Sequence, residues 1–270
     1  MSINILLLSA FIAVLITIII LNRVLLIGSL LTYINSLHYW HKKRNFRPHR
    51  IILVRHGESE GNLSEDIYRS TPDAHISLTQ LGKDQAIEAG RKLKKEVLIN
   101  DNSNENIYVY LSPYLRSRQT YEGISKAFSP SQIIKVREDP RLREQEWGNF
   151  LHPDIRRTEM EERKKVGDFY FRFSNGESGA DVYDRCTLFL DTLFRENMNG
   201  QIPKSDNILI VSHGLFMRLF LMRYFRWTVD EHHQWRNFKN CEYCVLEHDI
   251  NTGSYELKTK LEKKKSEQEE

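Results

Sequence analysis

The sequence predicts an α/β protein: a three-layer α/β/α sandwich with a mostly parallel sheet, preceded by an N-terminal transmembrane helix. Two patterns support this prediction. After residue 48, short apolar segments rich in β-branched residues alternate with longer amphipathic segments. This is the order of strands and helices in a parallel sheet that is covered on both faces. Before them, residues 5–21 form a run of seventeen residues that carries no charge.

The individual elements follow from the apolar periods. Strands are predicted at residues 49–54, 107–111, 133–137, 207–211, 241–247 and 255–258, the last two as a hairpin around residues 251–253. Helices are predicted at residues 79–97, with Thr79 as the N-cap, and at residues 113–128, 178–196 and 214–225. Residues 140–176 mix charges, aromatic side chains and glycines, and they give no clear assignment. Residues 258–270 alternate charges and lack aromatic residues, which predicts disorder.

Composition narrows the class of protein. A chain of 270 residues has room for one sizeable α/β domain, or at most two small ones. Hydrophobic residues make up 40% and charged residues 28%, which is ordinary for a globular protein. A net charge of +3 gives no argument for a nucleic-acid partner. Three cysteines are too few for a disulfide framework, which favours a reducing compartment.

The uncharged N-terminal run has the length of a membrane span. A helix over residues 5–21 rises about 26 Å, and the apolar residues 24–34 can extend it. A cleaved signal peptide is the rival interpretation, but the segment has no basic residue in front of it. Basic residues instead follow the apolar segment on its C-terminal side, at Lys42, Lys43, Arg44, Arg47 and Arg50. The positive-inside rule therefore predicts a single-pass membrane protein whose α/β domain is cytoplasmic.

This pattern also predicts the domain organisation. Residues 1–34 are predicted to form the membrane anchor, residues 35–48 a basic stalk, residues 49–257 the α/β domain and residues 258–270 a disordered charged tail.

Basic side chains follow three of the predicted strands. Arg55 and His56 come directly after the first strand, Arg116 lies in the first turn of the helix after the second, and His213 follows the fourth. In a parallel sheet, ligands bind outside the carboxyl ends of the strands, so these turns are expected to meet at one edge. A guanidinium can donate two parallel hydrogen bonds to phosphate oxygens while an imidazole attacks phosphorus. The pattern predicts a phosphoryl-transfer site.

Two carboxylates provide candidates for a proton donor. Glu144 and Glu146 flank Gln145 just before Trp147, in a segment predicted as a loop. A carboxyl group packed on aromatic surface has its charged form disfavoured, so it can hold a proton near neutral pH. Physical reasoning alone does not choose between Glu144 and Glu146.

Several motifs in order carry a resemblance to a known family. They are Arg55-His56-Gly57-Glu58-Ser59 with Asn62, Leu78-Thr79-Gln80-Leu81-Gly82 with Gln85-Ala86, Ser112-Pro113-Tyr114-Leu115-Arg116, and Ser212-His213-Gly214. Over about residues 50–250 the chain resembles the histidine phosphatase superfamily, the phosphoglycerate-mutase-like group. Residues 143–150, 176–185 and 225–228 most resemble its eukaryotic broad-range phosphatase subgroup.

The resemblance implies a metal-independent phosphomonoester hydrolase that acts through a phosphohistidine on His56. Aligning the acid-bearing loop of the family places the proton donor at Glu144. The phosphate-binding residues implied are Arg55, Asn62, Arg116, His213 and Gly214, with backbone N–H groups near Gly57 and Gly214. No cofactor is expected, because arginines supply the positive charge. The expected partners are a phosphorylated small-molecule substrate and, through the N-terminal helix, a membrane.

Two other functions stay open at this point. The first is phosphoglycerate mutase-type phosphoryl transfer, which needs an extra-basic pocket. Residues 150–176 offer five basic residues for it but lack the proline run of mutases, and this favours hydrolysis. The basic residues are Arg156, Arg157, Arg163, Lys164 and Lys165. The second is a non-catalytic, membrane-tethered phosphate-binding scaffold, which the complete set of competent side chains disfavours.

Overall fold

The computed structural model describes residues 3–45, 47–97, 106–148, 153–199 and 207–264. The helices are α1 (Ile3–Asn45), α2 (Glu60–Leu63), α3 (Gln80–Lys92), α4 (Leu115–Ser125), α5 (Pro153–Val166), α6 (Gly179–Met198), α7 (Gly214–Phe225) and α8 (Val229–His233). The strands are β1 (Arg50–Arg55), β2 (Ile107–Leu111), β3 (Ile133–Glu138), β4 (Asn207–Ser212), β5 (Tyr243–Asp249) and β6 (Ser254–Leu257).

These strands form one six-stranded sheet in the order β3-β2-β4-β1-β5-β6. The first four of that order run parallel, and β5 and β6 join as antiparallel strands. The predicted mostly parallel sheet is confirmed. Arg55 pairs with Ser212 in the parallel register of β1 and β4, so both strands end at the same level. This register places the residues that follow them, His56 and His213, side by side.

Side chains of the central strands alternate between two apolar cores. Ile51 and Leu53 of β1 face one core, with α6 and α7, whereas Ile52 and Val54 face the other, with α3 and α4. All four are at most 2% exposed, as expected for a central strand that is buried on both faces. Helices thus cover both sides of the sheet, and the predicted three-layer sandwich is confirmed.

Helix boundaries agree with the sequence where a cap is present. Thr79 Oγ1 accepts the Gly82 N–H at 2.9 Å and caps α3, as predicted. The α-helix ends at Lys92, and a π-helical turn continues it over Leu93–Val97. Helix α4 begins at Leu115 rather than at Pro113, because Tyr114 has an extended backbone and acts as its N-cap.

The segment without a sequence assignment contains α5. Its described side chains are mostly charged and exposed, so the apolar period that reveals the other helices is weak here. Buried Glu159 fixes this helix to the following segment, because its Oε1 accepts the Ser174 N–H at 2.7 Å. Residues 149–152, including Phe150, lie outside the described part of the chain.

Helix α1 is a single long helix of 43 residues. Its segment Phe11–Lys42 has a mean hydropathy of 2.6 and is not buried against the described protein. By length and composition it can cross a membrane, although a signal sequence has the same properties. The helix continues through most of the predicted stalk. Directly after it, Arg47 packs on the domain, with its guanidinium carbon 4.6 Å from the Phe194 ring centroid.

Residues 262–264 contact the domain, within the tail for which the sequence predicts disorder. Lys263 forms a β-bridge with Trp235, and Glu262 accepts a hydrogen bond from Arg236 Nε at 2.6 Å. The Lys264 N–H donates to the Gln234 carbonyl at 2.8 Å. These partners are distant in sequence, so composition alone does not reveal them. Residues 265–270 lie outside the described chain.

Candidate active site

The carboxyl ends of β1, β2 and β4 bring the predicted residues together. The His56 and His213 rings lie with centroids 5.2 Å apart. Arg55, His56, Asn62, Arg116 and Glu144 line one cavity of about 290 Å³. His213 is fully buried directly behind it, and Gly214 begins α7. The strand-end argument accounts for Arg55, His56, Arg116 and His213 at this edge of the sheet, whereas Asn62 comes from α2 and Glu144 from a loop.

The hydrogen bond of His56 defines its tautomer. Nδ1 lies 2.7 Å from the Gly57 carbonyl oxygen, which can only accept, so Nδ1 carries the proton. Nε2 is then left with a free lone pair. Burial lowers the pKa of His56 well below its usual value, and the charges of Arg116 and Arg55 lower it further. The ring is therefore neutral near pH 7, which a nucleophile requires.

His213 lies between the Ser112 hydroxyl and the Glu144 carboxyl group. Its Nε2 lies 2.8 Å from Ser112 Oγ, and its Nδ1 lies 3.9 Å from Glu144 Oε2. Burial and then the charge of Arg116 lower the pKa of His213 well below its usual value. A neutral His213 can offer a ring N–H to a phosphoryl oxygen without repelling the arginines.

Geometry distinguishes the two candidate acids. Glu144 lines the cavity with His56, and burial raises the pKa of its carboxyl group. Glu146 is exposed and faces a neighbouring cleft with Tyr68 and Tyr114. Burial also raises the pKa of Glu146, so the pKa shift alone does not separate them. The position of the carboxyl group separates the two residues, because Glu144 lines the cavity that contains His56 and Glu146 does not.

Arg185 holds the backbone of the Glu144 loop in place, and sequence reasoning did not single it out. Its Nη1 donates to the carbonyls of Arg141 and Arg143 at 2.6 and 2.8 Å, and its Nη2 donates to the carbonyl of Glu144 at 3.0 Å. The same guanidinium pairs with both carboxylate oxygens of Glu177 at 3.1 Å. Arg185 is the seventh residue of α6, and it ends the stretch 176–185 that resembles the broad-range phosphatase subgroup, which was the available signal.

Arg55 and Arg116 both have partners on the protein. Arg55 Nη1 donates to the Phe238 carbonyl at 2.5 Å. Arg116 Nη1 donates to Asp73 Oδ1 at 2.6 Å and to the Asp73 carbonyl at 2.8 Å. Asp73, on a short 3₁₀ turn, was not predicted as a site residue. A guanidinium has five N–H donors, so both arginines retain donors for a phosphate group.

The backbone N–H groups after His56 differ from the expectation that they face a ligand. The Gly57 N–H donates to Thr120 Oγ1 at 2.9 Å, and the Glu58 N–H donates to Gln85 Oε1 at 2.9 Å. The glycine is needed for another reason. A Cβ on Gly57 would lie 2.5 Å from the Gly82 carbonyl oxygen, so only glycine permits this close approach.

The neighbours of Asn62 and Gly214 show how each residue takes part in the site. Asn62 Oδ1 accepts hydrogen bonds from the Ser59 N–H and from Asn240 Nδ2, both at 3.1 Å. Its Nδ2 group therefore remains available to donate a hydrogen bond to a ligand in the cavity. A Cβ on Gly214 would lie 2.2 Å from Asn237 Oδ1, so glycine allows Asn237 to reach the cavity wall.

The sequence did not predict the outer wall of the cavity, although it offered Arg163 among five basic residues for a mutase-type pocket. Tyr68, Trp147, Met160, Arg163 and Asn237 line it. Trp147 belongs to the predicted acid loop, whereas Met160 and Arg163 come from α5. In the part of the chain that the structure describes, no group of three or more His, Cys, Asp or Glu side chains is arranged to hold a metal ion.

Comparisons with known proteins identify the family. The family model of the histidine phosphatase superfamily (branch 1) matches residues 51–259. The phosphoglycerate mutase-like protein AT74H of Arabidopsis thaliana is 45% identical over 215 residues, covering 76% of each chain. The broad-range acid phosphatase DET1 of Saccharomyces cerevisiae is 30% identical, covering 81% of this chain and 91% of the relative.

A solved structure supports the fold. Mycobacterial glucosyl-3-phosphoglycerate phosphatase matches with a TM-score of 0.60 and 21% identity, covering 78% of this chain and 98% of that protein. Since the family model spans β1 to the end of the sheet and includes every predicted site residue, the chain belongs to branch 1 of the histidine phosphatase superfamily.

Proposed function

We propose that this protein hydrolyses phosphomonoesters with His56 Nε2 as the nucleophile and Glu144 as the proton donor. One observation carries the assignment: the Nδ1 contact with the Gly57 carbonyl leaves Nε2 with its lone pair, in a cavity that Arg55, Arg116 and Glu144 also line. The name of the yeast relative, a broad-range acid phosphatase, supports hydrolysis of varied phosphomonoesters.

The first half-reaction transfers the phosphoryl group to His56. The Nε2 lone pair attacks phosphorus, the N–P bond forms and the ester P–O bond breaks. Arg55, Arg116 and His213 bind the equatorial oxygens, where negative charge gathers in the transition state. Glu144 transfers its proton to the leaving oxygen. Its raised pKa supports this role, because a protonated carboxyl group is needed at the start.

The second half-reaction releases phosphate. The Glu144 carboxylate, now deprotonated, removes a proton from water while the water oxygen attacks phosphorus. The N–P bond breaks, its electron pair returns to Nε2, and both His56 and Glu144 regain their starting protonation states. Asn62 Nδ2 contributes a further hydrogen bond to the phosphoryl group.

The experiment compares His56→Ala with a control histidine variant. His56→Ala is expected to lose hydrolysis of p-nitrophenyl phosphate, together with the acid-labile phosphate on the protein. His248→Ala is the matched control, because His248 lies on β5 beside His49, at the opposite end of the sheet. Near-full activity of His56→Ala would contradict the nucleophile assignment. Efficient conversion of 3-phosphoglycerate only when bisphosphoglycerate is present would favour a mutase instead.

We also propose that α1 anchors the catalytic domain to the cytoplasmic face of a membrane. The uncharged segment and the basic residues that follow it support this orientation. Arg47 and Pro48 support a short connection. Arg47 packs on Phe194 and Tyr255, and Tyr255 Oη donates to the Pro48 carbonyl at 2.8 Å. Protease added to intact microsomes should digest the domain, and protection of the domain until detergent is added would contradict this topology.

A further inference from the structure

A second, much smaller cavity lies next to the catalytic cavity. It encloses about 20 Å³ between α5, α7, α8 and the C-terminal segment. Its charged and imidazole side chains are those of Arg163, Asp168, Arg218, His232, His233 and Lys264. We propose that this cavity binds one free monatomic anion, with chloride as the physiological ligand, and that the bound ion joins these segments.

The lining of this cavity concentrates polar atoms that have no partner. Among the residues that the structure describes, five buried side-chain nitrogens that line it make no hydrogen bond. They are Nε of Arg163, Nε of Arg218, both ring nitrogens of His232 and Nε2 of His233. Native proteins rarely leave buried donors unpaired, because the lost hydration is not replaced. A ligand inside the cavity would satisfy several of these donors at once.

His232 provides a fixed donor for such a ligand. It is the most buried polar residue of the lining, at 3% exposure. Its ring packs edge-on against Phe169, with the centroids 6.3 Å apart. Burial and the charge of Arg218 lower the pKa of His232 to about 3, so the ring is neutral near pH 7 and donates one N–H. A donor that is already oriented loses little conformational entropy on binding.

The charges of the lining favour an anion over a water molecule. Arg163, Arg218 and Lys264 are cationic, whereas Asp168 is the single carboxylate among the described lining residues, and its side chain is 51% exposed. Burial lowers the pKa of Arg218, although the charges of Glu144 and Asp168 oppose the shift. A buried cation is therefore left with incomplete compensation, which is unfavourable. An anion supplies the missing charge, and water does not.

The volume of the cavity limits the ligand to a single atom. A water molecule needs roughly 10–15 Å³, so 20 Å³ holds one particle of about that size. Phosphate, with five heavy atoms, and any organic substrate are too large. The ligand is therefore a free halide and no part of a substrate. Its position between four segments means that it would fasten α5, a wall of the catalytic cavity, to α7 and α8.

The test measures thermal unfolding of the full-length protein in detergent while gluconate is replaced by chloride at constant ionic strength. Above the Kd for chloride, each tenfold increase in its concentration should raise Tm by about 3–5 °C. Bromide has the same charge and a similar size, so it should act in the same way. In crystals grown with bromide, its anomalous scattering should show one ion within hydrogen-bonding distance of Arg218 and His232.

Four variants locate the effect. Arg218→Met removes the buried cation while keeping most of its volume, and it should abolish the rise of Tm with chloride. His232→Phe removes the fixed donor and should at least halve the rise, which provides a second test if Arg218→Met does not fold. Arg116→Gln removes a cation from the catalytic cavity, and Lys164→Gln removes an exposed one from α5. Both should keep the full rise.

The contrary results are equally distinct. A wild-type Tm that does not depend on chloride, or the same dependence in Arg218→Met and in wild type, would overturn the site. Loss of the dependence in Arg116→Gln but not in Arg218→Met would place the ion in the catalytic cavity, and a cavity without bromide would leave only water. None of these measurements uses turnover, so they do not depend on the proposed phosphatase function.

Discussion

Replacing Arg185 with methionine removes the side chain that holds the Glu144 loop. Three N–H bonds to the carbonyls of Arg141, Arg143 and Glu144 are lost, together with the pair to Glu177. Arg185 is 7% exposed, so water does not simply replace it. Methionine has a similar length and no charge, which keeps most of the packing.

The magnitude follows from the environment of Glu177. Breaking a buried ion pair by removing one partner costs about 3–5 kcal/mol, because the other charge is left buried. Arg143 also pairs with Glu177 and retains part of its compensation, so the lower half of that range is expected. For a domain of this size, 1 kcal/mol shifts Tm by about 2–4 °C, which predicts a fall of roughly 6–16 °C.

The assay combines thermal unfolding with turnover at a temperature where the variant is folded. The Arg185→Met variant should lose turnover of alkyl phosphates more than turnover of p-nitrophenyl phosphate, because an alkoxide leaving group needs the Glu144 proton. Arg172→Met is the control, since Arg172 is 61% exposed and pairs with Asp181 at the surface. An unfolding free energy of Arg185→Met within about 0.5 kcal/mol of wild type, the usual spread for surface substitutions, would refute this reasoning.

Two more predictions concern protons. Glu144→Gln should reduce alkyl phosphate turnover by about 10²- to 10⁴-fold, measured as kcat, whereas Glu146→Gln should change it little; the reverse pattern would assign the acid to Glu146. Burial lowers the pKa of His232 to about 3 in the folded protein, against about 6.5 when unfolded. The unfolded state therefore binds more protons between these values, and stability falls as pH decreases from about 6.5 toward 3. His232→Gln should make the unfolding free energy less dependent on pH in this window, and an unchanged slope would contradict the burial argument.

The layered fold and the meeting of three strand ends could be predicted because they depend on local patterns. The alternation of Ile51, Ile52, Leu53 and Val54 between two cores follows from a two-residue period and a central strand. Once the sheet is parallel, residues directly after its strands must gather at one edge. The position of His56 directly after a parallel strand was therefore sufficient to predict that it lies in the candidate site.

Other parts of the site depend on contacts between distant segments. Asp73 reaches Arg116 from an irregular turn, and no sequence period indicates such a pairing. Glu144 and Glu146 lie two residues apart in a loop, and only the path of the backbone, held by Arg185, decides which one faces His56. Helix α5 was missed because most of its described side chains are charged and exposed, so the sequence did not show that this helix forms a wall of the cavity.

The most direct test of the central claim is to isolate the phosphorylated enzyme. Glu144→Gln is mixed with p-nitrophenyl phosphate, whose leaving group departs without a proton, so phosphorylation proceeds while attack by water is slowed. Peptide mass spectrometry after alkaline quench should find one phosphoryl group on the peptide that contains His56, lost on mild acid treatment. Release of p-nitrophenol with no phosphoryl group on His56, or with a phosphoryl group on another residue, would contradict the account.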